Sequence, residues 1–186
     1  MTMILLAILG IAGVIALWFI TGYNSLVRLK ALLDEGWSGI DVQLKRRYDL
    51  IPNLVATVKQ YGIHEKGIFE QVARYRSESM NAQSVVQKGA AETELTGALR
   101  TLFAVVENYP ELKANENFLS LQRDLNNIEE QLQLARRYYN GTARNYNSAR
   151  EVFPTNIIAS FTGFNRAQYF EVVNLSEREA PKVTFD

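Results

Sequence analysis

From Met3 to Ile20 the chain reads MILLAILGIAGVIALWFI, and its first charged side chain is Arg28. An uncharged apolar run of about 18 residues is long enough to cross a hydrocarbon core as a helix. Trp18 and Tyr23 stand where interfacial aromatic anchors belong. A cleaved signal peptide is the competing explanation, but it calls for a basic segment ahead of the apolar run, and only Met1 and Thr2 precede it. A buried core helix would show a polar face. The expectation is a retained transmembrane anchor over residues 1–22. Arg28 and Lys30 follow the span with nothing basic before it, which favours a cytoplasmic body; Asp34 and Glu35 close behind leave the side open.

The remainder is patterned for helices. Phe118, Leu121, Leu125, Ile128, Leu132, Ala135, Tyr139, Thr142, Tyr146, Ala149 and Phe153 follow one another in steps of three and four. That is a heptad seam. Asn115 can cap this helix and Pro154 stops it, giving a rod roughly 55 Å long at 1.5 Å per residue. Thr142 and the two tyrosines make the seam less apolar than a leucine zipper, and it reads as one wall of a bundle or as a seam for a partner chain. Leu26, Leu29, Leu33, Trp37, Ile40, Leu44 and Tyr48 form a stripe continuous with the anchor, so span and first body helix read as one rod. Gly22, Gly36 and Gly39 weaken that rod without breaking its pattern.

Pro52 places a bend at about residues 49–53. Beyond it Leu54, Val58, Tyr61, Ile68, Val72 and Tyr75 predict a helix to about Met80. Residues 81–91 read as a turn or loose connection. Leu95, Leu99, Leu102, Val105, Val106 and Tyr109 predict a third helix, ended by Pro110. The fold class is all-α: a transmembrane helix leading into an antiparallel four-helix bundle of long helices, the body running from 23 to 164. The apolar segment Phe153–Phe164 is too short to span a bilayer, and would cap the bundle end or lie in a membrane interface. Residues 165–186 read as an extended tail, with Lys182–Phe185 an isolated strand possibility.

Twenty Lys and Arg balance twenty Asp and Glu, with one His and no Cys. There is no basic run to bind nucleic acid and no thiol chemistry. A metal site of His and Cys is impossible with His64 alone, and Glu-x-x-His pairs for a di-metal bundle are absent. His64 reads as a partly exposed helix residue. No GxSxG elbow or phosphate loop occurs. No cofactor and no catalytic residue is expected, and the chain does not read as an enzyme.

One polar cluster stands out, in QLKRRYDLIPN from Gln43 to Asn53. Arg46 and Asn53 are seven apart and share a helix face, with Arg47 beside them and Asp49 nearby. Guanidinium groups recognise carboxylate and phosphate, which makes Arg46, Arg47, Asp49 and Asn53 a candidate anion or partner site. The alternative is a set of ion pairs and hydrogen bonds that serve backbone groups freed by the proline. Trp37, Tyr138 and Tyr139 read as packing residues.

Four long strings carry a family resemblance. They are YNSLVRLKALLDEGWSGIDVQLKRRYDLIPNLVATVKQYGIHEK (23–66), YPELKANENFLSLQRDL (109–125), YNSAREVFPTNIIASFTGF (146–164) and YFEVVNLSEREAPKVTF (169–185). In this order they closely resemble the LemA family over nearly the whole chain. FTGF at 161–164 and the charge-free start depart from the common pattern, which touches tail packing and topology. The resemblance implies a bacterial membrane-anchored helical bundle with no catalytic residue to carry over. Some relatives start with a basic segment or a lipoprotein signal, which would place the body outside the cytoplasm, and members are often encoded near membrane metalloproteases. The expected role is a non-enzymatic scaffold or adaptor in the bacterial cytoplasmic membrane. Its expected partners are the lipid bilayer, further copies of itself and other envelope membrane proteins such as a metalloprotease. A ligand- or lipid-binding sensor using Arg46, Arg47 and Asp49 is the alternative.

Overall fold

The computed structural model describes residues 1–61 and 65–171; His64, the tail beyond Glu171 and the Lys182–Phe185 stretch lie outside the described residues. Among the described residues the chain is all helical, without a strand. Its elements are α1 (Thr2–Gln60), α2 (Lys66–Asn81), α3 (Val85–Val106), α4 (Pro110–Lys113), α5 (Glu116–Glu151) and α6 (Thr155–Thr162). The apolar run forms the first turns of α1, and apart from the half-buried Trp18 its side chains are exposed. Among the described residues this is the one helix long and apolar enough to cross a membrane.

Two expected boundaries move. Pro52, expected to bend the chain between two helices, lies inside one: α1 continues through it to Gln60, and the helix predicted from Leu54 to Met80 is divided between the end of α1 and α2. The connection expected over residues 81–91 shrinks to 82–84. Ser84 Oγ accepts from Gln87 N at 3.2 Å, and Gln87 Oε1 accepts from Gln83 N at 3.2 Å. This near-capping-box nucleates α3 ten residues ahead of the first leucine of the expected stripe. Asn115 does cap α5, its Oδ1 accepting from Phe118 N at 3.0 Å.

The chain divides into two compact units, one of Met1–Asp41 with Leu134–Gln168, the other of Val42–Gln133 with the residues from Tyr169 onward. In the first, the α1 stripe Leu26, Leu33 and Ile40 and the α5 residues Tyr139, Thr142, Ala143 and Tyr146 are buried. Gly36 lets the two helices approach closely: a Cβ there would meet Tyr139 Cα at 3.1 Å and Thr142 Oγ1 at 3.2 Å. The seam tyrosines have a second task. Residues 164–168 form a strap without regular secondary structure, held by α5 side chains. Tyr146 Oη donates to Asn165 O (3.0 Å), Tyr139 Oη to Gln168 O (2.8 Å), and Arg150 Nε to Phe164 O (2.7 Å). Asn147 and the backbone of Ala167 exchange two bonds, at 2.8 and 3.0 Å. Phe153, the expected last seam residue, lies beyond the end of α5 and is exposed.

In the second unit the core is built from Leu44, Ile51, Leu54 and Val58 of α1, Phe69 and Val72 of α2, Leu95, Leu99 and Leu102 of α3, Leu112 of α4, and Phe118, Leu125 and Leu132 of α5. Each leucine removed fully from water contributes roughly 1.5–3 kcal/mol. The seam of α5 is therefore buried within each unit by residues of the same chain, and a partner chain is not needed to cover it.

Candidate functional site

The sequence around Pro52 puts polar groups where a helix loses a hydrogen bond. A proline at position 52 has no N–H to give the carbonyl four residues back, that of Tyr48. In the structure Arg76 of α2 supplies the missing donor, its Nε reaching Tyr48 O at 2.8 Å. A buried carbonyl without a donor would carry a penalty of about 1–3 kcal/mol, so this one contact explains much of how α1 passes through the proline.

One turn away, Arg47 points inward and is only 5% exposed. Its Nη1 donates to Glu92 Oε2 at 3.0 Å and lies 3.3 Å from Glu129 Oε2; its Nη2 donates to Thr96 Oγ1 at 2.9 Å. Glu92, wholly buried on α3, accepts at its other oxygen from Tyr48 Oη at 2.5 Å. Burial first, and then the charge and hydrogen bond of Glu92, push the Tyr48 phenol far above its ordinary range, against the smaller opposing effects of Ser79 and Arg47. Tyr48 is thus a neutral donor at any physiological pH. The result is a closed set: both carboxylate oxygens of Glu92 are engaged, and so are both terminal nitrogens of Arg47. An incoming anion would have to displace Glu92 or Glu129 to be forked by Arg47.

Of the four residues singled out from sequence, Arg46, Asp49 and Asn53 stand at spacings of three and four on α1, and Arg47 departs from them. Arg47 is interior, whereas Arg46, Asp49 and Asn53 are exposed. Asp49 pairs with Lys45 at 2.8 Å, and the Asn53 carbonyl accepts from Thr57 Oγ1 at 2.9 Å. Sequence reasoning missed Arg76, Glu92, Thr96 and Glu129. The rule for proline identifies the Tyr48 carbonyl as orphaned, but nothing local names a donor 28 residues away. The S-x-x-Q signature at Ser84 was the available clue that Glu92 belongs to a helix. Trp37 and Tyr139 pack edge to face at 5.4 Å between centroids, as packing residues do.

Beside Pro52 lies an open groove of about 330 Å³, walled by Ile51, Val55 and Ala56 of α1 and Phe69, Val72 and Ala73 of α2. Lys59 and Arg76 also line it, and Lys59 Nζ sits 5.1 Å from the centre of the Phe69 ring. Apolar walls with two cations suit an amphiphile carrying a negative charge better than a small polar anion.

Comparison with known proteins agrees with the strings quoted above. The sequence model of the LemA family matches residues 36–185. The chain is 25% identical to magnetosome protein MamQ 2 of Paramagnetospirillum magneticum, over 91% of its own length and 71% of that protein. It is 28% identical to magnetosome protein MamQ of Magnetospirillum gryphiswaldense, covering 80% and 64% respectively. It is also 28% identical to protein LemA of Metamycoplasma hominis, covering 79% and 68%.

Proposed function

This chain belongs to the LemA family, and from that premise we propose that it is a non-enzymatic, single-pass scaffold or adaptor of the bacterial cytoplasmic membrane. Its body is an antiparallel four-helix bundle made from the later part of α1 with α2, α3 and α5, and it works by presenting helical surface to other envelope proteins. The observation that supports this reading most is the continuity of α1, which carries an exposed apolar span and a patterned body stripe in one 59-residue helix. The inward use of Arg47 supports it further, because Arg47, Tyr48, Glu92 and Arg76 are engaged with one another and with backbone. Since the α5 seam is filled from within the chain, self-association uses other surface. Leu134 and Tyr138, one turn apart on α5 and about half exposed, are the residues proposed for it.

Crosslinking in intact membranes at native expression, followed by mass spectrometry, tests the reading. Self-links and links to envelope membrane proteins are expected, a membrane metalloprotease among the candidates. A strictly monomeric mass in mild detergent, unchanged by Leu134→Lys, would remove the self-association. Protease accessibility in spheroplasts decides which side the body occupies.

The groove beside Pro52 favours a second reading, a sensor of ligand or lipid. Calorimetry with oleate and with a short-chain phosphatidate would then show binding that Lys59→Glu abolishes. Arg46→Ala distinguishes this groove from the surface cluster first suggested by sequence, and null results throughout would leave the scaffold reading alone.

A further inference from the structure

The segment Phe153–Phe164 carries more than a chain reversal. No charged side chain lies between Glu151 and Arg166, and most of the segment folds as α6. One side of α6 is settled: Ile158 and Ala159 are buried with Leu26 of α1, and Trp18, Ala149 and Phe164 complete that cluster. Ile158 occupies the space that the missing side chain of Gly22 leaves open. Tyr23 stacks at a tilt on Phe164, 5.7 Å between centroids. Every α1 residue in this list falls between Trp18 and Leu26, the turns in which the apolar span ends and the first charges are still to come.

A second side of α6 is exposed among the described residues. Ile157 and Phe161 stand one turn apart on α6, 41 and 81% exposed, and Phe153, in the turn just before the helix, is 75% exposed. Val152 adds to the same apolar surface. Phenylalanines this open, set in a row without an intervening charge, are unusual on a surface that meets water. A third side is mildly polar, with exposed Asn156 and Ser160. The hydroxyls of Ser160 and Thr162 are turned back onto the carbonyls of Ile157 and Ile158, at 2.8 and 2.7 Å, so they need no water.

We propose that α6 is a second membrane contact, an interfacial helix lying along the boundary of headgroups and acyl chains with Phe153, Ile157 and Phe161 in the lipid. The occupant is the bilayer because α6 is fastened to the turns of α1 that leave it. A helix held there, beside Trp18 and Tyr23, sits at the depth where aromatic side chains partition best. Its three-sided composition, with one face on protein, one on lipid and one on water, is what that position requires. The inference rests on the reading of α1 as a membrane span. It gives the anchor a fixed rotation and depth, since a single helix is free to turn about its axis and one with a lateral foot is not.

The chain has no cysteine, so single cysteines can be introduced in the whole chain at Leu9, Phe153, Asn156, Phe161 and Glu130 and spin-labelled. All but Leu9 report on surface positions of the body. After reconstitution in vesicles of phosphatidylethanolamine and phosphatidylglycerol, collision with oxygen and with a water-soluble nickel chelate reads the depth of each label. Leu9 is expected deep in the bilayer. Phe153 and Phe161 are expected at shallow depth, with an oxygen-to-nickel ratio several-fold above that of Glu130, and Asn156 close to Glu130. A Phe161 label as open to nickel as Glu130, with Leu9 deep, overturns the proposal and spares the anchor. Phe161 shielded from both reagents also overturns it, because a second copy or another protein then covers the stripe. Nickel access at Leu9 overturns the anchor itself and the proposal with it.

Discussion

Arg76 Nε donates to the carbonyl of Tyr48 at 2.8 Å, standing in for the helical N–H that Pro52 lacks. The two residues lie on different helices, and the bond joins α1 to α2 at the point where α1 is weakest.

A double-mutant cycle on this pair has a definite sign. Arg76→Ala should cost about 1–2 kcal/mol of stability in the parent chain, because the Tyr48 carbonyl loses its donor. Pro52→Ala restores the backbone N–H, and in that background the Arg76 substitution should cost well under half as much. Denaturant titration of the four proteins reads the coupling; equal costs in both backgrounds would show that Arg76 serves some other group.

The buried pair should behave differently when broken and when replaced. Glu92→Ala leaves Arg47 charged in the interior with only Glu129 for compensation, and should cost about 3–5 kcal/mol. Replacing Arg47 with Met and Glu92 with Leu together should cost much less than either single substitution, since no unpaired charge remains. Thermal unfolding of the three variants checks this.

Two glycines of α3 should respond in opposite directions. A Cβ at Gly89 would collide with the backbone oxygen of Glu171, whereas one at Gly97 meets nothing within 4 Å. Gly89→Ala should therefore destabilise by about 1–3 kcal/mol, and Gly97→Ala should stabilise by about 0.5–1 kcal/mol through helix propensity.

Asn147 holds the strap by two hydrogen bonds to the Ala167 backbone. Asn147→Leu keeps the volume and removes both bonds to Ala167, and should lower stability by about 1–3 kcal/mol. Limited proteolysis should then cut within residues 164–168, at sites the parent chain protects.

Alkali should weaken the fold. Burial raises the phenols of Tyr48, Tyr139 and Tyr146 above their ordinary value; Glu92 raises Tyr48 further, Asp34 raises the other two, and Arg150 partly opposes this at Tyr146. An unfolded chain releases these protons near pH 10, as free tyrosine does, whereas the folded chain retains them. Above that pH the unfolded state binds fewer protons, so stability falls as pH rises, and below it these groups contribute no slope. Melting temperature and phenolate absorbance followed together from neutral to strongly alkaline pH test this, and Tyr48→Phe should flatten the decline.

What the sequence by itself determined was whatever depends on spacing along one helix. The uncharged run from Met3 to Ile20 requires a helix in contact with something apolar, and the three-and-four seam requires a long α5 with a buried face. The cap at Asn115 was legible because a cap is a contact across three residues. Tertiary structure alone decided the rest. Pro52 predicts a bend by local rules, and the donor that serves the orphaned Tyr48 carbonyl comes from residue 76 on another helix. Arg46 and Arg47 are neighbours in sequence, yet 100° of helical rotation puts one in water and the other against Glu92. The tyrosines that made the seam look weak hold a strap, and Ile158 against Gly22 and Leu26 decides which side of α6 faces protein. The physical reason is the same in each case: periodicity fixes which face of a helix is apolar, while hydrogen bonds between segments far apart in the chain decide what each buried polar group is for.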